Sequence, residues 1–141
     1  MTLSGKADHI EITAPGAAIL DFKTGPPPSD KQVQSGLAPQ LPLEAAMVSR
    51  GGFEGVPKTR ANELVYWSIG GVDPRPRVVN LEQSAHETGE KALAALEKLL
   101  RQYALADQPF LSKPRVQFIK PYADYDLLAR RKEWADAEGE E

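Results

Sequence analysis

The chain has 141 residues, the length of one ordinary domain, and its 41% hydrophobic and 26% charged residues are typical of soluble globular proteins. The absence of cysteine excludes disulfides, zinc–thiolate sites and thiolate-bound iron–sulfur clusters within this chain. A net charge of -3 argues against a protein that coats DNA through overall positive charge. The sequence has neither a long apolar run nor a secretory signal, so we expect a cytoplasmic protein with no membrane contact.

The beginning of the chain predicts an antiparallel β-hairpin. Residues 6–13 alternate between polar and apolar side chains, as a half-buried strand does. Pro15 and Gly16 mark a turn, and residues 17–23 are typical of a second strand. Residues 24–28 end in three consecutive prolines and are therefore predicted to be irregular.

A helix interrupted by proline is predicted next. Ser29 is a suitable N-cap for a helix that reaches about Arg50. Pro39 predicts a break near residues 38–39, and Pro42 suits the first turn of the restarted helix.

The rest of the chain completes an α/β pattern. Strands are predicted over 63–69 and 76–81, a long helix over 84–106 and a terminal helix over 122–134. Residues 135–141 are acidic and are predicted to form a disordered tail. The order β-β-α-β-β-α-α predicts a mixed sheet that starts with an antiparallel hairpin and is flanked by helices.

Asp8, Asp21 and Lys23 form the candidate site. Asp21 and Lys23 are two residues apart on one strand, so their side chains point to the same face. The hairpin can fold Asp8 back beside Asp21. Two carboxylates near an ammonium suit Mg²⁺, which prefers oxygen ligands and retains several waters. The alternative is a solvated strand end, because the Asp-X-Lys tripeptide is common by chance.

Three segments extend this pattern, and they lie at residues 5–11, 18–25 and 40–46. Together they resemble the RecB-type branch of the PD-(D/E)XK nucleases, most closely the C-terminal nuclease domain of the AddB family. The five residues from Asp21 to Gly25 match the Asp-Tyr-Lys-Thr-Gly box of that family. The resemblance is specific over residues 5–47 and looser beyond. It implies a partial PD-(D/E)XK (restriction-endonuclease-like) domain over residues 1–134 that lacks the N-terminal helix.

The resemblance also implies a reaction. It is Mg²⁺-dependent exonuclease hydrolysis of DNA in double-strand break repair and recombination, with Mn²⁺ as a substitute ion. Asp8, Asp21 and the backbone carbonyl of Phe22 would be the metal ligands, and Lys23 would be the catalytic lysine. Gln40 matches the glutamine of the family's Gln-X-X-X-Tyr motif and would contact DNA or support the site. The implied partner is an AddA-type helicase–nuclease subunit.

The sequence departs from the family pattern in three ways. Glu44 stands where the motif has tyrosine. The family places a helix and a metal-binding histidine before the Asp8 strand, and His9 faces away from Asp8 and does not replace that histidine. Many relatives carry an iron–sulfur cluster that a chain without cysteine cannot hold. We therefore expect the 141-residue chain to be a weak nuclease, and a non-catalytic DNA-binding or subunit-docking domain is the alternative function.

Overall fold

The computed structural model of the protein describes residues 2–70, 74–105 and 107–109. Its elements in chain order are β1 (His9–Thr13), β2 (Gly16–Lys23), α1 (Asp30–Gln34), α2 (Gln40–Ser49), β3 (Ala61–Ser68), β4 (Arg75–Val78) and α3 (Ala85–Tyr103). The chain divides into two compact units, Met1–Gln102 and Tyr103–Glu141, and the four strands of the described residues lie in the first. No helix in the described ranges is long and apolar enough to span a membrane.

The four strands form one mixed sheet in the order β1-β2-β3-β4. The β1–β2 and β3–β4 pairs are antiparallel, and β2–β3 is parallel. A parallel pair needs a crossover connection, and α1 and α2 lie within the segment that joins β2 to β3. The predicted mixed sheet with an initial antiparallel hairpin is confirmed.

The main core lies between α2 and one face of the β2–β3 pair. Alternate residues of a strand point to opposite faces, so β2 sends one set of side chains toward the helix and the other set to the opposite face. The α2 side of the core contains, among others, Ala17, Ile19, Leu41, Ala45, Val48, Leu64 and Tyr66. A smaller cluster on the opposite face consists of Ala18, Leu20 and Val65.

The predicted helix break is confirmed. Ser29 caps α1 with its side-chain oxygen, which accepts from the Gln32 amide, while the Gln32 side chain accepts from the Ser29 amide. The helix ends before Pro39, and α2 restarts with Pro42 in its first turn. A proline in the first turn is tolerated because amides there have no partner within the helix.

The predicted first strand was too long at its start. It begins at His9 rather than at residue 6, and Asp8 lies in a bend just before it. The backbone amide of Phe22 donates to Asp8 Oδ2, so it is not available to a backbone carbonyl of the neighbouring strand. The terminal helix predicted over 122–134 and the tail predicted over 135–141 lie outside the described residues.

Gly89 marks the close approach of α3 to α2. A Cβ atom at this position would lie 2.9 Å from the Pro42 carbonyl oxygen, 3.0 Å from the Ala46 amide nitrogen and 3.1 Å from the Ala45 Cβ. We expect Gly89→Ala to lower the free energy of unfolding by about 1–3 kcal/mol, because overpacking outweighs the gain in helix propensity. Urea denaturation measures the effect. Gly25→Ala is the control, because nothing lies within 4 Å of its added Cβ, and equal stability losses in both variants would contradict the expectation.

Candidate functional site

The candidate site lies where the parallel strands β2 and β3 end. Asp21 is paired with Tyr66, and Tyr66 is paired with Arg77, so the three residues form one row across β2, β3 and β4. The carboxyl ends of parallel strands are the edge where ligands bind in open α/β sheets. The hairpin brings Asp8 to the same edge, since His9 is paired with Leu20 and Asp8 comes immediately before it.

Asp21 is a buried carboxylate with two polar neighbours. Its side chain is at the centre of the site and the residue is only 2% exposed. Oδ1 accepts a hydrogen bond from Gln40 Nε2 at 2.8 Å, and Oδ2 lies 2.6 Å from Lys23 Nζ. The predicted same-face placement of Asp21 and Lys23 is therefore observed, and the ammonium offsets part of the cost of burying the carboxylate.

Asp8 is held against the neighbouring strand by the protein backbone. Its Oδ2 accepts from the Phe22 amide at 3.0 Å, across the end of the β1–β2 ladder. This bond holds one oxygen of the Asp8 carboxylate beside Phe22, the residue that follows Asp21. The structure thus brings Asp8, Asp21, Phe22 and Lys23 to one edge, as the sequence predicted.

Gln40 and Glu44 reach this edge from the first turns of α2. Gln40 Nε2 donates both to Asp21 Oδ1 at 2.8 Å and to Glu44 Oε1 at 3.2 Å. The amide therefore links two carboxylates, one from the sheet and one from the helix. Of the two roles that the sequence left open for Gln40, these contacts favour support of the site; contact with DNA stays a prediction.

Glu44 is buried on α2 and has a displaced pKa. Burial raises the pKa of its carboxyl to about 7, and the negative charges of Asp21 and Asp8 act in the same direction. The Gln40 hydrogen bond and the Lys23 ammonium oppose this rise of the pKa. Near pH 7 the Glu44 carboxyl is therefore present in both its protonated and its ionised form.

The raised pKa predicts a loss of stability as the pH rises. In the unfolded chain the Glu44 carboxyl ionises near pH 4.5, and in the folded chain it ionises near pH 7. Between these values the folded state binds more protons, so the free energy of unfolding falls with rising pH, by at most about 3 kcal/mol. Glu44→Gln should remove this decline, measured as thermal midpoints at pH 5 and pH 8 in a chelator. Glu63→Gln is the exposed control, and an unchanged pH dependence in Glu44→Gln would contradict the assignment.

Tyr66 and Arg77 belong to the same edge, although the sequence did not identify them as site residues. Burial raises the pKa of the Tyr66 hydroxyl to about 12, with a further contribution from the charge of Asp21. The Arg77 guanidinium lies 5.7 Å from the Tyr66 ring centroid, and its own partners are the Asp30 carboxylate and the Pro28 carbonyl oxygen. Tyr66 and Arg77 lie beside Asp21 because of the register in which β2, β3 and β4 pair. The sequence patterns of the individual strands do not determine this register.

The residues at this edge fit a cation that takes few protein ligands. In the described part of the chain, no group of three or more His, Cys, Asp or Glu side chains is arranged to hold a metal ion. One buried carboxylate oxygen, Glu44 Oε2, nevertheless accepts no hydrogen bond from the described residues, whereas Asp21 Oδ2 lies 2.6 Å from the Lys23 ammonium. Carboxylate oxygens are the ligands that Mg²⁺ prefers, and Mg²⁺ retains several waters beside one or two of them.

Comparisons with known proteins agree with this geometry. A family model described as "PD-(D/E)XK nuclease superfamily" matches residues 1–115. An uncharacterized protein of Rickettsia bellii is 46% identical over 50 residues, which cover 35% of this chain and 6% of that protein. An uncharacterized protein of Rickettsia conorii is 43% identical over 61 residues, which cover 43% of this chain and 7% of that protein. The matched part is therefore a small fraction of these relatives' length. No solved structure shows significant similarity to the chain.

Proposed function

The chain belongs to the PD-(D/E)XK nuclease superfamily, and we propose that it hydrolyses phosphodiester bonds of DNA with a divalent cation at the Asp8–Asp21 edge. The observation that carries the proposal is the contact of 2.6 Å between Lys23 Nζ and the buried Asp21 Oδ2. A carboxylate and a lysine in this order on one strand are the motif after which the superfamily is named. Asp8 lies beside Asp21 and Lys23, because its carboxylate accepts a hydrogen bond from the Phe22 amide.

Each residue has a separate role in the proposal. Asp8, Asp21 and the backbone carbonyl of Phe22 would hold Mg²⁺, with Mn²⁺ as a substitute. A bound divalent cation polarises a phosphodiester oxygen and lowers the pKa of a bound water. The Lys23 ammonium stabilises negative charge that develops on the phosphate. Gln40 fixes the orientation of the Asp21 carboxylate through its hydrogen bond to Oδ1.

The biological setting is a finer part of the proposal. We place the chain in the RecB-type branch, as an exonuclease domain of AddB type that acts in double-strand break repair and recombination. The support is the sequence resemblance over residues 5–47, with the segment from Asp21 to Gly25 as its most specific part. An AddA-type helicase–nuclease subunit is the partner that this placement implies.

The test is cleavage of DNA by the chain in Mg²⁺, in Mn²⁺ and in excess chelator. Linear and covalently closed circular DNA of the same sequence are compared, because an exonuclease needs an end. We expect the linear substrate to be shortened only when the divalent ion is present. DNA binding without cleavage in either ion would contradict the proposal and favour the non-catalytic alternative.

A further inference from the structure

Two adjacent rows of paired residues cross the end of the sheet at the candidate site. One row contains Asp21, Tyr66 and Arg77, and the next contains Lys23, Ser68 and Arg75. Residues two positions apart on a strand point to the same face, so both rows face the same side of the sheet. The site face therefore carries two arginines from β4 in addition to Lys23.

Side-chain contacts place Lys23 and Arg77 around the same aromatic ring. The Lys23 ammonium lies 6.0 Å from the centroid of the Tyr66 ring, and the Arg77 guanidinium lies 5.7 Å from it. Arg77 is held there by the Asp30 carboxylate and the Pro28 carbonyl oxygen, which both accept hydrogen bonds from its guanidinium. One positive charge of β4 is therefore fixed close to the candidate site.

The two edges of the sheet differ in charge. The edge strand β1 contains no lysine or arginine, and Asp8 precedes it at the site. The opposite edge strand, β4, contains two arginines in four residues, and Arg75 is exposed. The phosphates of DNA are repelled by carboxylates and attracted by guanidinium groups, which bind phosphate through two parallel hydrogen bonds. This difference in charge favours a path of the DNA across β3 and β4.

The spacing of Lys23 and Arg75 suits one strand of DNA. Neighbouring β-strands lie about 4.8 Å apart, so two strand spacings separate the backbones of these residues by roughly 10 Å. Each nucleotide of a strand advances about 3.4 Å along the axis of B-DNA, so this distance corresponds to about three nucleotides. Phosphates a few nucleotides apart can therefore contact both side chains at once.

We propose that Arg75 binds a phosphate of the DNA a few nucleotides from the phosphate at Lys23, so that the substrate strand crosses β3 and β4 and not β1. Arg77 adds positive charge to the same path, reduced by its pairing with Asp30. This inference rests on the proposed function, because it concerns the DNA that the site cleaves. Arg75 is then a substrate-binding residue that neither holds the metal ion nor activates water.

The alternative is that the arginines of β4 have a structural role only. That role is evident for Arg77, which joins β4 to Pro28 and Asp30, so its substitution would change the fold and DNA binding together. Arg75 is the better position for a test, because it is exposed at the first residue of β4. A phosphate contact, unlike a structural contact, makes DNA binding depend more steeply on the salt concentration.

The experiment measures binding of the 141-residue chain to a short, fluorescently labelled linear DNA duplex by anisotropy in excess chelator, over a series of KCl concentrations. We expect Arg75→Gln to weaken binding by about 10-fold, the scale of one hydrogen bond to a charged group. The slope of log affinity against log salt should fall in magnitude by about 0.9, the value for one phosphate contact on duplex DNA. Arg75→Lys preserves the charge and should retain the slope.

The matched control is Arg60→Gln, which removes the same charge at the opposite end of the sheet. Arg60 is exposed immediately before β3, and its backbone oxygen accepts from the Ala17 amide, a bond that the substitution preserves. This variant should retain the affinity and the slope of the unmodified chain. Circular dichroism verifies the fold of each variant.

The outcomes separate this inference from the proposed function. If the unmodified chain cleaves linear DNA in Mg²⁺ but Arg75→Gln binds the duplex as Arg60→Gln does, the inference is overturned while the proposed function stands. If Arg75→Gln loses affinity and slope but the unmodified chain cleaves no DNA in Mg²⁺ or Mn²⁺, the phosphate contact is supported and the proposed hydrolysis is overturned. Absence of DNA binding by the unmodified chain at low salt overturns the inference.

Discussion

Replacing Lys23 by alanine is expected to reduce cleavage of linear DNA by at least about 100-fold, the scale seen when one preorganised stabilising group is removed from an active site. The Lys23 ammonium lies 2.6 Å from Asp21 Oδ2, and its side chain is 32% exposed, so it can face a bound phosphate. Initial rates at saturating Mg²⁺ measure the effect. The substitution leaves the buried Asp21 carboxylate without its ammonium partner, which destabilises a protein by up to about 3–5 kcal/mol, so circular dichroism verifies the fold before the rates are compared.

The matched control is Lys58→Ala. Lys58 is exposed in the segment before β3, and β3 begins at the end of the sheet opposite to the site, where Ala61 is paired with Ala17. This variant removes the same charge and should cleave at the unmodified rate. A Lys23→Ala protein that is folded and cuts as fast as Lys58→Ala would refute the catalytic role.

Asp21→Asn is expected to have the largest effect on metal binding. The substitution preserves the shape of the side chain and an oxygen that accepts from Gln40. It removes the negative charge of Asp21, which is 2% exposed and forms an ion pair with Lys23. We expect the Mn²⁺ affinity to fall by at least about 100-fold. Loss of a residue that only hydrogen-bonds to a metal ligand already lowers metal affinity by about 10- to 100-fold, and Asp21 is proposed to be a ligand itself. Cleavage should become undetectable, and isothermal calorimetry with a gel assay measures both.

Glu11→Gln is the control for this prediction. Glu11 is exposed in the middle of β1, and its removal lowers the negative charge of the chain by the same amount. Equal Mn²⁺ affinities of Asp21→Asn and Glu11→Gln would mean that the ion binds by overall charge and not at this edge.

The parts of the fold that local physics determines could be predicted from the sequence. The hairpin follows from alternation and a turn, and the helix break follows from the geometry of Pro39 and Pro42. The cap at Ser29 follows from a side chain that can accept from the free amides of a first turn. The start of β1 was predicted too early, because the bond from the Phe22 amide to Asp8 joins residues 14 positions apart.

The less predictable parts of the site depend on contacts between distant segments. The row of Asp21, Tyr66 and Arg77 exists because β2 and β3 are parallel and in a particular register, which no local pattern determines. The spacing of Gln40 and Glu44 places them on one face of a helix, and this is visible in the sequence. The burial of Glu44 cannot be predicted from the sequence, since it depends on how α2 packs against the sheet.

The most direct test of the account is a Mg²⁺ titration followed by amide chemical shifts in the 141-residue chain. The central claim is that a divalent ion binds at the Asp8–Asp21 edge. We predict that the amide signals of Asp8, Asp21 and Phe22 shift first and saturate together, and that these shifts disappear in Asp21→Asn. Shifts confined to the acidic residues 138–141, or shifts at the site that persist in Asp21→Asn, would contradict the claim.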